Sequence, residues 1–430
     1  MSGSTPGRLA IVVGGGPAPG INGVISSVTI EARNRGLEVI GIRDGFSNLI
    51  SGQLDQVARQ TLIEDEVVPY YPRGGSMLGT ARTNPAKNPE HLKNVIDCFK
   101  QLGVSYLVTI GGDDTAFSGS QVYKQGGGSI RVAHVPKTID NDLPLPPGIP
   151  TFGFETARHI GVGLVRNLHE DAKTTSRWYI IVSMGRAAGH LALGIGKASA
   201  SALTIISEEF RGKPVTLDLI CDIIIGAMIK RKAYGKKYGL AVLAEGLLES
   251  IGEDGLVKVL GDELSRFGDV VRDDHGHLRL GEIEFGRLIK HRVAGRLKEL
   301  DLKVTIIDKD LGYELRCADP IPFDAEYTRN LGFAAVKFLL GDTAAEFGAV
   351  VSIVGGKLVP LPFDSIINPK TSRMYARLVN VEDENYECAR RYMIRLEKED
   401  FQNPAQLAKL ASVVKMTSDQ FKARFGYVVE

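Results

Sequence analysis

The sequence predicts an α/β protein built from two doubly wound, mostly parallel sheets, and three observations support this prediction. Short β-branched runs alternate with segments whose apolar residues recur at helical spacing. Glycines such as Gly36 and Gly103 end the helical segments before the next strand begins. Charged turns directly follow several strands, as binding residues do at the carboxyl edge of a parallel sheet. Regular alternation of this kind is typical of doubly wound folds.

The elements follow one another with few interruptions. The predicted strands cover residues 9–13, 38–42, 104–110, 130–135, 178–183, 203–206, 239–243 and 303–307. The predicted helices cover residues 21–35, 92–102, 155–172, a small-residue segment after Gly189, 216–230 and 282–300. The Pro/Gly-rich residues 143–150 predict a passage between two lobes, with a return near residues 316–322. Residues 249–281 predict surface excursions or a helical hairpin, and the charged segment from Glu382 onward predicts solvated or packing helices.

Composition limits the function classes. With 430 residues and 43% hydrophobic content, the chain is long enough for two or three domains. Lys and Arg number 52 against 51 for Asp and Glu, so no basic excess favours nucleic-acid binding. Four scattered cysteines lack metal-ligand or secreted spacing, and no apolar run approaches the roughly 18 residues of a membrane span. We expect a cytoplasmic protein without nucleic-acid or membrane partners, and residues 1–7 carry no recognisable targeting signal.

Two turns concentrate charge at one edge of the predicted sheet. The first follows the strand at residues 104–110, and the second follows the strand at residues 130–135. Their charged residues are Asp113, Asp114, Lys137, Asp140 and Asp142. The first pair of carboxylates suits Mg²⁺, and the second pair offers a base and a further acid. The lysine offers a cation for a phosphate group.

Glycine-rich loops and other strand ends supply further candidates. The loop from Gly14 to Asn22 lies between a strand and a helix, where backbone amides can cradle a phosphate. Its spacing matches neither a dinucleotide fingerprint nor a P-loop, which weakens the alternative of a nicotinamide dehydrogenase. Later turns contain Arg82, Met184, Gly185, Arg186, Glu245, Tyr313, Glu314, Leu315 and Arg316. Arg177 lies at the opposite end of a strand from Met184 and would therefore bind substrate only across a subunit interface. A structural turn, a helix cap or a surface salt bridge is the alternative for each of these signals taken alone.

Together these segments resemble the phosphofructokinase family. The matches lie in family order over roughly residues 9–330. They comprise Gly15 to Asn22, Gly111-Gly112-Asp113, Thr138-Ile139-Asp140-Asn141-Asp142, Met184-Gly185-Arg186, Glu245 and Tyr313 to Arg316. The resemblance implies two α/β lobes with the active site in the cleft, assembled as a homodimer or homotetramer. It also implies Mg²⁺-dependent phosphoryl transfer to C1 of fructose 6-phosphate.

The resemblance implies a role for each matching residue. Asp140 would be the base that takes the proton of the sugar 1-hydroxyl, and Asp113 would help to hold Mg²⁺. Gly15 and Arg82 would contact pyrophosphate, and Arg186 would stabilise charge on the transferring group. The other implied substrate-binding residues are Thr138, Ile139, Asp142, Met184, Gly185, Glu245, Tyr313, Glu314, Leu315 and Arg316, with Tyr313 and Arg316 at the sugar 6-phosphate.

Two positions distinguish phosphoryl donors within this family. ATP users resemble Gly-Gly-Asp-Gly and Gly-Thr-Ile-Asp, where this chain has Asp114 and Lys137. A carboxylate about 4 Å from the α-phosphate of ATP would cost about 4 kcal/mol per charge pair at an effective dielectric near 20, or about a thousandfold. Lys137 can neutralise the leaving phosphate. The pair favours a reversible pyrophosphate-dependent enzyme over an ATP-dependent one.

Lobe limits and several alternatives complete the prediction. Residues 1–145 and 317–400 are expected to form the lobe that binds pyrophosphate and Mg²⁺, residues 146–316 the sugar-phosphate lobe, and residues 401–430 a C-terminal helical tail. Bacterial ATP-dependent relatives carry an arginine where Ile307 stands, and the sequence leaves open whether Lys303 or Lys309 supplies this cross-subunit cation. A non-catalytic regulatory subunit is a further alternative, but the presence of Asp113, Asp140 and Arg186 argues against it. Sedoheptulose 7-phosphate stays open as an additional acceptor.

Overall fold

Two compact units make up the computed structural model, which describes residues 7–269, 271, 280–371 and 373–429. Unit 1 comprises the described residues within Met1–Ala157 and Tyr313–Arg377. Unit 2 comprises those within Arg158–Gly312 and Leu378–Glu430. Each unit contains its own parallel sheet and its own buried apolar residues, which confirms the predicted α/β class.

Strands and helices mostly alternate along the chain, whose last four α-helices follow one another directly. The strands are β1 (Arg8–Val13), β2 (Glu38–Ile42), β3 (Arg59–Thr61), β4 (Val104–Gly111), β5 (Arg131–Pro136), β6 (Trp178–Ser183), β7 (Leu203–Ile205), β8 (Gly239–Ala244), β9 (Ile306–Leu311), β10 (Ala349–Val354), β11 (Lys357–Pro362), β12 (Ile367–Asn368) and β13 (Arg373–Met374). The α-helices are α1 (Ile21–Asn34), α2 (Glu64–Val67), α3 (Pro89–Gln101), α4 (Asp113–Gln125), α5 (Phe154–Thr175), α6 (His190–Ala198), α7 (Leu217–Ala233), α8 (Gly246–Leu260), α9 (Phe285–Glu299), α10 (Tyr313–Arg316), α11 (Pro322–Leu340), α12 (Thr343–Glu346), α13 (Phe363–Ile366), α14 (Glu384–Tyr392), α15 (Lys398–Gln402), α16 (Pro404–Val413) and α17 (Ser418–Phe425).

The sheet of unit 1 has the strand order β11-β10-β5-β4-β1-β2-β3. Its five inner strands run parallel, and β3 and β11 pair antiparallel at the edges. Successive residues of β1 face opposite sides, because side chains alternate along a strand. Leu9 and Ile11 pack with α1 and α11, whereas Ala10 and Val12 pack with α3 and α4. Helices therefore cover both faces, which explains why the inner strands are mostly apolar.

The sheet of unit 2 has the order β7-β8-β6-β9, with all strands parallel. Helices α7 and α9 pack on it with the C-terminal helices α16 and α17. Leu410, Phe421 and Phe425 of those last helices are fully buried. The charged end of the chain is therefore a packing element of unit 2.

The last strand of unit 2 differs from its predicted position. The prediction placed it at residues 303–307, whereas β9 runs from Ile306 to Leu311. The prediction relied on a run of apolar residues, but β9 contains Asp308, Lys309 and Asp310. Several positions of β9 are half-exposed or exposed. An edge strand tolerates such charges because one of its sides lacks a neighbouring strand.

The polar segment at residues 249–281 is helical in its described first part. Helix α8 is interrupted at Gly252, and a 3₁₀ segment, Gly261–Phe267, follows it. Part of this predicted segment, residues 270 and 272–279, lies outside the described residues. The same applies to residues 1–6, for which the sequence predicted no targeting signal.

The two units and the predicted lobes divide the chain differently. Contacts place residues 146–157 and 313–316 in unit 1 and residues 378–400 in unit 2. The assignment of donor and sugar binding to particular lobes stays a prediction. None of the helices in the described part of the chain combines the length and apolarity of a membrane span.

Candidate active site

In the sheet of unit 1, the connections between strands change direction between the neighbouring strands β1 and β4. The chain leaves β1 towards β2 on one side, and it leaves β4 towards β5 on the other side. Ligands bind at such a switch point, beyond the carboxyl ends of the strands. The amide of Gly14 donates to the carbonyl of Ile110 at 2.9 Å, so the loop after β1 is tied to the end of β4. This is the edge at which the sequence predicted chemistry.

The glycine loop after β1 allows cations to come close to the backbone. Gly15 has a φ of +80°, and its amide donates to the carbonyl of Ala81 at 2.9 Å. A Cβ at this position would lie 3.2 Å from Nζ of Lys137. A Cβ at Gly16 would lie 3.3 Å from Cζ of Arg316. Side chains at these two positions would therefore fill the space beside the two cations.

Lys137 follows β5 and is buried, with only 4% of its surface exposed. Its ammonium donates to the carbonyl of Gly16. Burial lowers the pKa of Lys137 to about 8, and neighbouring charges modify this effect. The neighbouring charged groups are Arg316, Asp140, Asp142 and Arg82. We call Arg82, Lys137 and Arg316 the cation cluster.

The turn with the candidate base is held by its own backbone and by Arg377. The amide of Asp140 donates to Oγ1 of Thr138 at 3.0 Å. Asn141 has a φ of +57°, and its Oδ1 accepts the amide of Thr151 at 3.0 Å. Nε of Arg377 donates to the carbonyl of Asn141 at 3.1 Å, and the Arg377 amide donates to the carbonyl of Asp142. Ile139, a predicted substrate contact, is buried, and its role stays a prediction.

Asp113 begins α4, and its Oδ1 accepts the amide of Met374 at 2.5 Å. Burial raises the pKa of Asp113, and the charges of Asp114 and Asp142 raise it further. The Met374 amide and Arg373 oppose this increase. A divalent cation would relieve the repulsion among these carboxylates. Among the described residues, no group of three or more acidic, histidine or cysteine side chains is placed to hold a metal ion.

Asp114 is exposed at the same helix start. Its Oδ1 accepts a hydrogen bond from Nδ2 of Asn84 at 3.1 Å. Asn84 lies in the loop that also carries Arg82. No sequence motif singles out this asparagine.

A second cluster forms at the carboxyl end of the sheet in unit 2. The amide of Gly185, which has a φ of +130°, donates to Oε2 of Glu245 at 3.1 Å. This bond joins the turn after β6 to the turn after β8. A Cβ at Gly312, after β9, would lie 2.6 Å from Cε of Met184. These contacts join the ends of three strands, and Arg186, in the turn after β6, is exposed at this edge.

Arg177 lies at the opposite end of β6, as the sequence predicted. A six-residue strand is roughly 20 Å long, so Arg177 cannot reach the turn that contains Arg186. Its Nε lies 3.7 Å from Oδ2 of Asp171, which also accepts the hydroxyl of Tyr179 at 2.5 Å. Its role across a subunit interface stays a prediction. Lys303 and Lys309 are both exposed and stay open as the second cation.

Helix α10 carries the residues that the sequence assigned to the sugar 6-phosphate. Contacts place it in unit 1, where the guanidinium of Arg316 lies beside Gly16. The same group lies 5.1 Å from the ring centre of Tyr313, which is 78% exposed. The side chain of Leu315 is fully buried, whereas Glu314 is exposed. Arg316 therefore belongs to the same cation cluster as Lys137.

Comparison with known proteins supports the resemblance. A family model described as phosphofructokinase matches residues 8–339. The chain belongs to the phosphofructokinase family. A solved structure of this family, the pyrophosphate-dependent phosphofructokinase from Nitrosospira multiformis, matches with a TM-score of 0.63 and 16% identity, covering 95% of this chain and 91% of that one. At this identity, the match supports the fold.

Two relatives in the phosphofructokinase family match over nearly the full length. Both are called pyrophosphate–fructose 6-phosphate 1-phosphotransferase. The protein from Thermotoga maritima is 51% identical over 423 residues, covering 98% of this chain and 99% of its own length. The protein from Naegleria fowleri is 48% identical over 429 residues, covering 98% and 96%.

Some supporting residues of this phosphofructokinase site were missed by sequence reasoning. His134 is buried in β5, with Nδ1 2.9 Å from Oγ1 of Thr109 and Nε2 2.9 Å from the carbonyl of Gly111. Burial lowers the pKa of His134 to about 3, so a neutral ring supports the turn before Asp113. A lone histidine in an apolar run carries no signal for this role.

Proposed function

We propose that the protein transfers a phosphoryl group reversibly from pyrophosphate to C1 of fructose 6-phosphate. The observation that carries the proposal is the buried Lys137 ammonium between the glycine loop and the second acidic turn. A small, multiply charged donor is suited to this position, because it can use a concentrated positive charge without needing space for a nucleoside. The two relatives that match over nearly the full length are named for the same donor and acceptor, which supports the proposal.

The cation cluster would bind pyrophosphate. Lys137 and Arg316 lie beside Gly15 and Gly16, so a phosphate at this loop would meet both charges. Arg82 acts on Lys137 from the neighbouring loop. An anion would also relieve the repulsion among these cations, which adds to its binding. After transfer, the same charges would stabilise the leaving phosphate.

Asp140 would act as the base. Its turn is held by Thr138, Asn141 and Arg377, so the backbone that carries this carboxylate is in place before substrate binds. It would take the proton of the sugar 1-hydroxyl as that oxygen attacks the donor phosphorus. The phosphorus–oxygen bond to the leaving phosphate breaks at the same centre, and in the reverse reaction Asp140 returns the proton.

Mg²⁺ is part of the proposal, with Asp113 as its protein ligand. The second carboxylate oxygen of Asp113 accepts no hydrogen bond from another described residue. When bound there with pyrophosphate oxygens, Mg²⁺ would supply charge neutralisation at the transferring group. Asp114 and Asp142 lie near enough to raise the pKa of Asp113, so a cation bound at Asp113 would also be attracted by their negative charges.

Glu245, Met184, Gly185 and Arg186 would bind the sugar phosphate. Glu245 can accept hydrogen bonds from sugar hydroxyls, and the exposed Arg186 can stabilise negative charge on the transferring group. The protein would act in the cytoplasm as a homodimer or homotetramer, with Arg177 reaching a neighbouring subunit. These last assignments rest on the family resemblance.

The choice of donor is tested by measuring fructose 1,6-bisphosphate formation with pyrophosphate and with ATP. We expect kcat/KM for pyrophosphate to exceed that for ATP by about a thousandfold, because Asp114 repels the α-phosphate of ATP. Changing Asp114 and Lys137 together to glycine should lower the ratio of kcat/KM for pyrophosphate to kcat/KM for ATP. Faster turnover of the unaltered protein with ATP would contradict the proposal.

A further inference from the structure

Asp114 is exposed, yet its carboxylate has a hydrogen-bond partner from another loop. An exposed aspartate at the start of a helix can normally occupy several rotamers. Here Nδ2 of Asn84 donates to Oδ1 of Asp114 at 3.1 Å. The partner comes from a different loop, 30 residues earlier in the chain.

The orientation of the Asn84 amide follows from its other contacts. Its Oδ1 accepts the backbone amide of Ala86 at 3.0 Å, and that amide can only donate. The Ser118 hydroxyl lies 3.0 Å from the same Oδ1 and shares its single proton between this atom and the Asp114 carbonyl. The Oδ1 atom is therefore turned away from Asp114, which directs the NH₂ group towards the carboxylate.

Ser118 joins Asn84 and Asp114 in one hydrogen-bond network. Ser118 lies one turn after Asp114 on α4 and is only 1% exposed. Its hydroxyl lies 2.8 Å from the Asp114 carbonyl and 3.0 Å from Oδ1 of Asn84. The helix that carries Asp114 thus also holds the asparagine that orients it.

We propose that Asn84 is a positioning residue that sets donor selectivity by holding the Asp114 carboxylate in place. The inference rests on the proposed preference for pyrophosphate. A carboxylate that rotates into solvent is screened by water and repels a nucleotide less than a fixed one. Without Asn84, Asp114 would still be present but would exclude ATP less well.

Asn84→Ser tests this role. Serine keeps an oxygen that can accept the Ala86 amide, so the start of the 3₁₀ segment Pro85–Lys87 is preserved, but it is too short to reach Asp114. We expect the ratio of kcat/KM for pyrophosphate to that for ATP to fall by about tenfold, since a hydrogen bond to a charged group is lost. KM for fructose 6-phosphate should stay unchanged.

Asn88→Ser is the matched control. Asn88 ends the same 3₁₀ segment, and its side chain accepts the amide of Glu90 at the start of α3. It has no hydrogen bond to Asp114. This variant should keep the donor ratio of the unaltered protein, so a shift common to both asparagine variants would overturn the inference.

A double-mutant cycle with Asp114→Gly separates positioning from a direct effect. If Asn84 acts through Asp114, then Asn84→Ser should leave the donor ratio unchanged in the Asp114→Gly background. An equal shift in both backgrounds, or no shift in the unaltered background, would overturn the inference. If Asn84→Ser does not fold, Ser118→Ala gives the same readout with a smaller expected shift, and no shift there would overturn it. A preference of the unaltered protein for ATP would instead defeat the proposed function.

Discussion

At the scale of single residues, the environment of Lys137 matters more than its identity. The sequence shows a lysine before Thr-Ile-Asp, but it does not show that the side chain is buried or that it donates to the carbonyl of Gly16. Burial makes the charged form less stable and so brings its proton loss close to physiological pH. The residue is therefore a cation whose charge depends on what is bound beside it.

We predict that kcat/KM for pyrophosphate falls above about pH 8. The pKa of Lys137 is lowered to about 8 by burial and by the nearby guanidinium groups, so the free protein loses this charge there. Bound pyrophosphate favours the charged form, so the fall in kcat should occur at higher pH. Initial rates at constant magnesium pyrophosphate concentration, between pH 6.5 and about 10, would measure both profiles.

Lys137→Arg is the control for this titration. Arginine stays charged throughout this pH range, so the fall near pH 8 should disappear even if activity is reduced. An unaltered protein whose kcat/KM stays constant beyond pH 9 would contradict the prediction. Stability follows the opposite direction: the cost of burying the charge is complete below pH 8 and is relieved as pH rises towards the unfolded value of 10.5.

At the scale of elements, periodicity and turn residues predict the strands that deliver the charged residues. The positions of β2 and β6 agree with the sequence prediction because their apolar runs are bounded by clear helix ends. The hydrogen bonds that hold the two acidic turns could not be predicted. Arg377 contacts Asn141 across 236 positions of the chain, and the Met374 amide contacts Asp113 across 261. Local patterns carry no information about such distant partners.

The last helix of unit 2 depends on a buried charge. Asp222 of α7 is fully buried and accepts hydrogen bonds from Arg296 at 2.6 Å, from Arg424 at 2.5 Å and from Tyr427 at 2.5 Å. Asp222→Ala would leave two guanidinium groups without their shared carboxylate. We predict a loss of about 3–5 kcal/mol in the free energy of unfolding. The only tryptophan, Trp178, is buried in β6, so its fluorescence during urea unfolding reports on unit 2.

Asp218→Ala provides the comparison for this measurement. Asp218 lies one turn earlier on α7 and also pairs with Arg296, at 2.5 Å, but its side chain is 44% exposed. Exposed pairs contribute less than about 1 kcal/mol, so this variant should unfold almost as the unaltered protein does. Equal losses for the two variants would show that burial of Asp222 does not determine the effect.

At the scale of the whole molecule, the candidate residues are shared between two units. Unit 1 contains the glycine loop, both acidic turns and the complete cation cluster, and unit 2 contains Arg186 and Glu245. These residues are candidates from the sequence, and their roles stay predictions. The sequence assigned α10 to the sugar-binding lobe. It did so because α10 follows β9, a strand of unit 2, whereas the contacts of Arg316 with the glycine loop are visible only in three dimensions. Chain order is therefore a poor guide to which residues share a binding site.

This grouping leads to a prediction that does not depend on activity. Because the cation cluster lies within unit 1, magnesium pyrophosphate should bind without the sugar and stabilise the protein by about 2.7 kcal/mol at a hundred times its Kd. Thermal unfolding followed by circular dichroism, with and without the ligand, would show this as a rise in Tm. In Lys137→Met the ligand-induced rise should largely disappear, whatever the Tm of the free variant, because the buried charge that the anion neutralises is gone. Arg177→Met should keep the full rise, since Arg177 is bound to Asp171 at the far end of β6. A ligand-induced rise of equal size in the Lys137 variant would mean that pyrophosphate binds elsewhere.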